Sequence, residues 1–177
     1  MESLAIIAEF NPFHTGHARL IRQVRQAAGP EAAIVIIMSG AFVQRGEPAF
    51  FDKWHRAAWA IDGGADVVIE LPAVYALSSA AGFAQGGVTL AARLGCQALA
   101  CGVEGGTAAD FLSLARRSEG LTACLKAAKK SSAGQQLTDA LMAAAPDEAR
   151  LLQQPNALLA FEYARAMLKQ EQPLTFL

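Results

Sequence analysis

The sequence predicts an α/β fold, with an open parallel sheet followed by a C-terminal helical appendage. Four short apolar runs alternate with helical patterns up to residue 106, which is typical of repeated strand–helix–strand units. The runs are apolar almost throughout, as in parallel strands that are covered on both faces. After about Gly105 the strand signals stop and helical patterns follow one another. We therefore expect two domains, residues 1–106 and residues 107–177.

The predicted strands are short runs rich in Ile, Val, Leu and Ala. They cover Leu4–Ala8, Ala33–Met38, Asp66–Leu71 and Ala98–Cys101, and the last has the weakest signal. We take the strand order of such a sheet to be 3-2-1-4. In that order the first and fourth strands flank the point where the winding reverses, and ligands of open α/β sheets bind there, beyond the carboxyl ends of the strands.

The predicted helices are segments in which apolar residues recur every three or four positions. They cover Thr15–Ala28, Asp52–Asp62, Ser78–Leu94, Asp110–Arg117, Leu121–Lys130, Gln135–Ala144 and Asn156–Lys169. Asp52 is a plausible N-cap of the second helix, and Gly63-Gly64 is a plausible stop. The predicted buried stripe of this helix is Trp54, Ala57, Ala58 and Ile61. Glycines in the third helix weaken it but permit close packing on the sheet.

Composition narrows the class of protein. With 53% apolar residues and a net charge of −1, the chain can form a sizeable core and carries no general basic field for nucleic acid. Its three cysteines form neither a disulfide framework nor a metal-binding pair. The run Leu4–Ala8 is too short for a signal peptide and is followed by Glu9, and no run reaches transmembrane length. We expect a soluble, cytoplasmic protein.

The stretch EFNPFHTGHARL, from Glu9 to Leu20, joins the first predicted strand to the first helix. Asn11-Pro12 predicts a turn, Thr15 is a reasonable N-cap, and Gly16 lets the backbone approach a ligand. The helix would then direct its free N–H groups and the positive end of its dipole at the crevice. Such a helix start is an anion site.

Two histidines bracket the glycine of this stretch. His14 and His17 are three positions apart and can meet on one side of the helix start. Their imidazoles could donate hydrogen bonds to a phosphate that gains charge during a displacement reaction. Two other interpretations stay open. His17 shares a face with apolar residues and could be a buried core histidine, and a metal site is possible, although the only further histidine is His55.

Several stretches together carry a resemblance to a known family. HTGH after a first strand resembles the His-x-Gly-His signature of the nucleotidyltransferase superfamily, which class I aminoacyl-tRNA synthetases share. IIAEFNPFHTGH, MSGAFVQRGEPAFFDKWHRA, GADVVIELP and QPNALLAFEYARAM closely resemble the bacterial tRNA(Met) cytidine acetate ligase family. The likeness runs along nearly the whole chain. It implies a Rossmann-like sheet of the HIGH nucleotidyltransferase type.

The resemblance also implies an activity. Family members use ATP and acetate to form acetyl-adenylate and pyrophosphate, and then pass the acetyl group to N4 of the wobble cytidine of elongator tRNA(Met). The ATP-binding residues it implies here are Ile7, Ala8, Glu9, Phe10, Asn11, Pro12, Phe13, His14, Thr15, Gly16, His17, Leu20, Gly102 and Asn156. We expect Mg²⁺ to bridge the triphosphate.

We assign four residues to catalysis: His14, His17, Arg45 and Lys53. The two histidines would hold phosphate oxygens, and the two cations, which lie in and just after the loop that follows the second strand, could clamp phosphates. Alternatively, Arg45 pairs with Glu47, and Lys53 is a solvated residue at a helix start. A cation at a helix start opposes the helix dipole, which favours a functional role for Lys53.

For each of three further residues, an ordinary structural role is an alternative to the functional role. Glu9 could hold a magnesium ion or orient a histidine, or be a surface charge at the end of a strand. Gly102 could let the backbone read the edge of adenine, or be an ordinary turn. Asn156 could contact the nucleotide, or only cap the helix that follows it.

Two other functions stay open at the level of sequence. The same fold and motif would suit a generic nucleotidyltransferase that adenylylates a small phosphate ester. In the resembling family, a segment after the last helix carries a basic pair that also serves nucleotide binding. Pro173-Leu174 matches the start of that segment, and the pair is absent from this sequence. The sequence therefore also fits a truncated chain or a short natural variant that binds nucleotide or RNA without full activity.

Overall fold

The computed structural model describes residues 2–44, 46–125, 133–154 and 156–177. The strands in these residues are β1 (Ser3–Ala8), β2 (Ala33–Ser39), β3 (Val67–Leu71), β4 (Ala98–Ala100) and β5 (Thr175–Phe176). They form a parallel sheet in the order β3-β2-β1-β4-β5. The predicted α/β class and the predicted order of the first four strands are confirmed.

The described helices follow the predicted ones closely in the first half of the chain. They are α1 (Thr15–Ala28), α2 (Lys53–Asp62), α3 (Ala73–Ala76), α4 (Ala80–Arg93), α5 (Ala108–Leu125), α6 (Ala133–Ala144), α7 (Pro146–Ala149) and α8 (Ala157–Met167), with a 3₁₀ turn at Arg150–Gln153. In the described part of the chain, no helix is long and apolar enough to cross a membrane.

The prediction of two separate helices over 110–130 is wrong up to Leu125. Asp110–Arg117 and the start of Leu121–Lys130 belong to the single helix α5. A glycine inside a helix costs only about 1 kcal/mol relative to alanine, so Gly120 does not end α5. Residues 126–130 of the prediction lie outside the described residues.

The chain divides into two compact units. The first comprises Met1–Gly102 and Gln170–Leu177, and the second comprises Val103–Lys169. The sequence interpretation assigned residues 107–177 to the helical domain, but β5 belongs to the first unit, because Thr175 and Phe176 pair with Ala98 and Leu99 of β4. A two-residue strand has no periodicity to detect, and its position depends on the free edge of β4.

The central strands are buried because both faces of the sheet are covered. In β1 the four residues Leu4 to Ile7 are all buried. Ile6 faces the core cluster that contains Ile21 of α1 and Ala60 of α2. Ile7 faces the other side, where a Cβ at Gly87 of α4 would lie 2.6 Å from it. Glycine therefore permits close packing of α4 on β1, as the sequence predicted.

In the second unit, α5 packs against α6 and α8. Phe111 and Leu114 of α5 and Phe161 of α8 are fully buried. Glu162 of α8 is also buried, and it accepts hydrogen bonds from Arg165 at 2.9 and 3.0 Å. Burial raises the pKa of Glu162, and the arginine opposes that effect.

Candidate functional site

The turn between β1 and α1 lies at the carboxyl edge of the sheet, where the topology predicts a ligand site. Phe10 has φ of 50°, which is uncommon for a residue other than glycine. Its ring is buried and lies 5.0 Å from the ring of Phe13 and 4.7 Å from that of His17. The turn that carries the histidines is therefore anchored in the core by an aromatic side chain.

The N-cap of α1 is His14 and not Thr15, so the sequence prediction for this position is wrong. His14 has extended backbone geometry, and its Nδ1 accepts a hydrogen bond from the N–H of Gly16 at 3.0 Å. Thr15 is the first residue of the helix. A ring nitrogen two bonds from Cβ reaches the same N–H group that a serine or aspartate cap reaches in other helices.

His17 completes this cap from the other side. Its Nδ1 accepts a hydrogen bond from the N–H of His14 at 3.3 Å, as the N3 residue of a capping box does. The two imidazoles are stacked, with centroids 3.7 Å apart and planes 24° apart. Burial, and then the neighbouring His14, lower the pKa of His17 from 6.5 to about 4. His17 is therefore neutral at pH 7.

These hydrogen bonds set the chemistry of both rings. A neutral imidazole has one acceptor and one donor nitrogen. Since Nδ1 of each ring accepts from the backbone, the hydrogen bonds assign the proton of each ring to Nε2. Each of the two rings can then donate one hydrogen bond through Nε2.

The anion site therefore differs from the one that the sequence predicts. The prediction relied on free N–H groups at the start of α1, but the cap occupies the N–H of Gly16 and that of His14. The described hydrogen bonds use Nδ1 of each imidazole and leave its Nε2 as a further donor. The positive end of the helix dipole still favours a negative charge at the start of α1.

Gly16 is required by the position of the His14 ring. A Cβ at residue 16 would lie 2.8 Å from Cε1 and 2.9 Å from Nδ1 of His14. Any side chain would push the ring away from the hydrogen bond that it accepts. The glycine in the motif therefore serves the approach of an imidazole to the helix, in addition to any approach of a ligand.

The loop that follows β2 is tied to the histidine turn by two hydrogen bonds. Oε1 of Glu9 accepts from the N–H of Gln44 at 2.6 Å, and Oδ1 of Asn11 accepts from the N–H of Phe50 at 2.7 Å. Glu9 thus fastens the loop, a contact that none of its predicted roles included. The ATP-binding residues predicted between Ile7 and Leu20 all lie on β1, the turn or α1.

Arg56 is the functional candidate that sequence reasoning missed. It is fully buried on α2, and its guanidinium donates to the backbone carbonyls of Glu9, Ser39, Gly40 and Phe51. Burial lowers its pKa, although nearby carboxylates, Glu9 first among them, oppose that effect. An arginine remains protonated in proteins all the same.

The predicted buried stripe of α2 is correspondingly wrong in part. Trp54 and Ile61 were predicted to be buried and are 75% and 44% exposed, whereas Arg56 and Ala60 face the core. A hydropathy pattern assigns arginine to the solvent side because it cannot include the carbonyl oxygens that satisfy the buried guanidinium. The spacing of four between Arg56 and Ala60 was the available signal.

Of the two predicted phosphate-binding cations, Lys53 lies within the described residues and Arg45 does not. Nζ of Lys53, the first residue of α2, forms an ion pair with Oε2 of Glu70 at 2.5 Å and lies 5.4 Å from the centroid of the Trp54 ring. Lys53 thus has two side-chain partners, although its side chain remains 36% exposed. Asp52 caps α2 as predicted, accepting from the N–H groups of Trp54 and His55. Arg45 lies outside the described residues.

Gly102 lies two residues after the end of β4. A Cβ placed on Gly102 would lie 3.8 Å from Cδ2 of Leu20 in α1, the nearest atom outside its chain neighbours. Because β4 pairs with β1, Gly102 lies at the same edge of the sheet as the histidine turn. The open space beside it is consistent with close approach of a ligand.

Asn156 belongs to the second unit and has φ of 61°. It occupies the N-cap position of α8 without a side-chain capping bond, so the interpretation as a simple cap is wrong. Its Nδ2 donates instead to Oε1 of Glu104 at 3.2 Å. Pro155, which precedes it in the predicted motif, lies outside the described residues.

A metal site built from protein side chains alone has no support in the described residues. No three His, Cys, Asp or Glu side chains converge within residues 2–44, 46–125, 133–154 and 156–177. His55, the third histidine, pairs with Asp52 through Nδ1 at 2.5 Å. His14 and His17 use their Nδ1 atoms for the helix cap.

Comparison with known proteins gives relatives over the whole chain. A protein of Leuconostoc citreum named tRNA(Met) cytidine acetate ligase is 38% identical over 98% of this chain and 43% of its own length. A protein of the same name from Syntrophotalea carbinolica is 39% identical over 94% of this chain and 42% of its own length. The chain spans less than half the length of these curated relatives.

A solved structure shares the fold. The crystal structure of Thermotoga maritima TmcAL bound with alpha-thio ATP superposes with a TM-score of 0.88 at 31% identity, over 99% of this chain and 45% of that one. The family described as HIGH Nucleotidyl Transferase matches residues 1–177. With that match and the His-x-Gly-His cap at the carboxyl edge of a parallel sheet, the chain belongs to the HIGH nucleotidyl transferase family.

Proposed function

We propose that this chain activates acetate with ATP to form acetyl-adenylate, for transfer of the acetyl group to N4 of the wobble cytidine of elongator tRNA(Met). The observation that carries the proposal is the stacked pair His14 and His17, whose Nδ1 atoms bind the backbone and whose Nε2 atoms remain as hydrogen-bond donors. The choice of acetate and tRNA(Met) is supported by the name that the relatives carry.

In the proposed reaction the carboxylate of acetate attacks the α-phosphorus of ATP in line, and pyrophosphate leaves. Charge that develops on the phosphate oxygens is stabilised by Nε2–H of His14 and of His17, which are already oriented before the substrate binds. The protein supplies no covalent nucleophile, because positioning and charge stabilisation are sufficient for this type of displacement.

Four further residues are proposed to bind ATP. Gly102 would let the backbone read the edge of adenine, and Asn156 would contact the nucleotide. Arg45 and Lys53 would clamp phosphates, which for Lys53 requires exchange of its partner Glu70 for a phosphate oxygen. Each of these roles is a proposal that substitution to alanine can test through the affinity for ATP.

Magnesium enters the proposal as an ion held by the triphosphate. The described side chains form no cage of three ligands, and Mg²⁺ commonly keeps its waters and binds through substrate phosphates. Bound there, it would neutralise charge on the leaving pyrophosphate. We place the reaction in the cytoplasm, where tRNA and ATP meet.

The direct test is to incubate the chain with ATP, labelled acetate and tRNA(Met), and to measure acetyl-adenylate and N4-acetylcytidine. Formation of both products supports the proposal. Pyrophosphate release that needs a phosphorylated small molecule and is independent of acetate would favour a generic nucleotidyltransferase. ATP binding with neither product would favour a binding variant.

A further inference from the structure

The side chain of Arg56 connects three segments of chain below the histidine turn. Nη1 donates to the carbonyl of Glu9 at 2.6 Å, where β1 ends, and to that of Ser39 at 3.1 Å, where β2 ends. Nη2 donates to the carbonyl of Gly40, and Nε donates to that of Phe51 at 3.0 Å, just before α2.

The geometry of these contacts requires a guanidinium. Four carbonyl oxygens surround one planar group, and each receives its own N–H donor in a fixed direction. A lysine carries a single ammonium group, which cannot reach the same set of oxygens. Because the bonded partners are neutral carbonyls, no direct ion pair in the described residues accounts for the burial of this charge.

The contacts reach the histidines through the backbone. Glu9 is the residue before Phe10, whose ring packs against His17. The loop over residues 40–51 is closed at both ends by Arg56, and Glu9 and Asn11 bind it from the turn. The turn and the loop therefore form one hydrogen-bonded body, and Arg56 lies at its base.

We propose that Arg56 is a positioning residue for the nucleotide chemistry. Its guanidinium holds the end of β1 and the loop after β2 in one arrangement, and that arrangement keeps His14 and His17 as Nε2–H donors aimed at the α-phosphate. The inference rests on the proposed function for the identity of the phosphate. The effect on the imidazoles does not depend on it.

The test compares Arg56→Lys with a matched control on the same face of the sheet. Arg25 of α1 also donates to backbone carbonyls, those of Ala32 and Gly64, and to Asp66, but at the amino edge. Arg25→Lys therefore removes a similar set of bonds far along the strands from the histidines. Both variants are prepared as the 177-residue chain, and their free energies of unfolding in urea are measured first.

The first readout is the ¹⁵N spectrum of the imidazoles, which distinguishes the two neutral tautomers. The chain has three histidines, so His14→Ala, His17→Ala and His55→Ala assign the signals. We expect Nε2–H tautomers of His14 and His17 in the native chain and in Arg25→Lys. In Arg56→Lys we expect both signals to move toward the average of the two tautomers.

The second readout is acetate-dependent exchange of pyrophosphate into ATP. We expect kcat of Arg56→Lys to fall about 100-fold, as for a catalytic group displaced by about 1 Å, with a smaller change in KM for ATP. Arg25→Lys should keep the native kcat. Native imidazole signals in Arg56→Lys, or equal losses of kcat in both variants, would overturn the proposal.

A measurement on the native chain covers the case in which Arg56→Lys does not fold. Hydrogen exchange of the Arg56 Nε–H should slow when ATP is added, because a bound phosphate stabilises the turn and the loop that Arg56 holds together. Exchange at Arg25 should not change. Equal behaviour of the two arginines would contradict the positioning role. If imidazole signals respond as stated but exchange never requires acetate, the proposed function fails and the positioning role stands.

Discussion

At the amino edge of the sheet, Arg25 joins the beginnings of β2 and β3 through the carbonyls of Ala32 and Gly64 and the carboxylate of Asp66. At the carboxyl edge, Arg56 joins the ends of β1 and β2 through carbonyls alone. Arg25 is partly exposed and pairs with a carboxylate, whereas Arg56 is fully buried and does not.

The backbone conformation also differs between the two edges of the sheet. The chain enters β2 and β3 at the amino edge through short turns that contain glycine, with positive φ at Gly29 and Gly64. The carboxyl edge has a positive φ at Phe10, a histidine cap and a loop of 13 residues from Gly40 to Asp52. Both edges are hydrogen-bonded, and at the carboxyl edge these bonds also hold two histidines whose Nε2 atoms remain as donors.

The comparison teaches that networks of the same chemical type hold both edges, while the carboxyl edge carries the residues of the proposed nucleotide site. Binding residues in proteins are commonly placed on loops that a rigid scaffold positions. Here Arg56, which lies on helix α2 of the scaffold, binds both ends of the loop that follows β2. Substitutions at the two edges should therefore separate stability from nucleotide chemistry.

The largest effect is expected for His17→Ala at the carboxyl edge. Removal of one preorganised donor to a developing oxyanion should lower kcat by about 10²–10³-fold. Acetate-dependent pyrophosphate exchange measures this loss. His55→Ala is the control, because His55 pairs with Asp52 on the surface of α2 and should keep kcat near the native value. Equal losses in the two variants would show that the motif histidine has no special role.

Asp66→Ala at the amino edge should lower the stability of the chain and leave its affinity for ATP unchanged. Oδ2 of Asp66 accepts from the N–H of Ile34 at 2.7 Å and from Arg25 at 2.5 Å. Loss of an acceptor for a partly buried N–H should lower the free energy of unfolding by about 1–3 kcal/mol. Urea unfolding measures that change, and calorimetry should find the native affinity for ATP. A weakened affinity for ATP would contradict the proposed separation of stability at the amino edge from nucleotide binding at the carboxyl edge.

Gly16→Ala should weaken the binding of ATP, because the new Cβ would displace the His14 ring from the helix cap. We expect a loss of about tenfold in affinity, which corresponds to about 1.4 kcal/mol. Gly120→Ala in α5 is the matched control, since a Cβ there meets nothing within 4 Å. That variant should gain up to about 1 kcal/mol in stability with native ATP affinity. A Gly16→Ala chain that binds ATP normally would contradict the cap geometry.

A pH dependence of stability should also originate at His17. Its pKa in the folded chain is about 4, below the ordinary value of 6.5, so the unfolded chain binds the proton more readily. The contribution to stability is therefore complete above pH 6.5 and is lost as the pH falls toward 4. Urea unfolding between pH 7 and pH 4 should show a shallower decline in His17→Ala than in the native chain. Identical declines would mean that His17 is solvated.

The sequence predicted the parts of this protein that repeat along the chain. Alternation of apolar runs with helical patterns was sufficient for β1 to β4, α1, α2 and α4, because each buried strand must be apolar on both faces. The His-x-Gly-His stretch after β1 led to the prediction of an anion site at this turn, which the structure places at the carboxyl edge of the sheet. The family resemblance extended that prediction to ATP.

Other features depend on contacts between residues far apart in the chain. Glu9 and Gln44 are 35 residues apart, and Arg56 is 47 residues from the carbonyl of Glu9. No local pattern contains such a pair. The same holds for β5, which is two residues long and exists because the edge of β4 is available to it.

The amino-acid sequence by itself thus determined the α/β class and the place of the histidine pair, since hydropathy and the right-handed crossover restrict a chain of this pattern to few arrangements. Tertiary structure decided that His14 rather than Thr15 caps α1, that each imidazole uses Nδ1 for the backbone, and that an arginine is buried below them. These features depend on where hydrogen-bond acceptors meet a side chain in space, and such positions exist only after the strands have assembled.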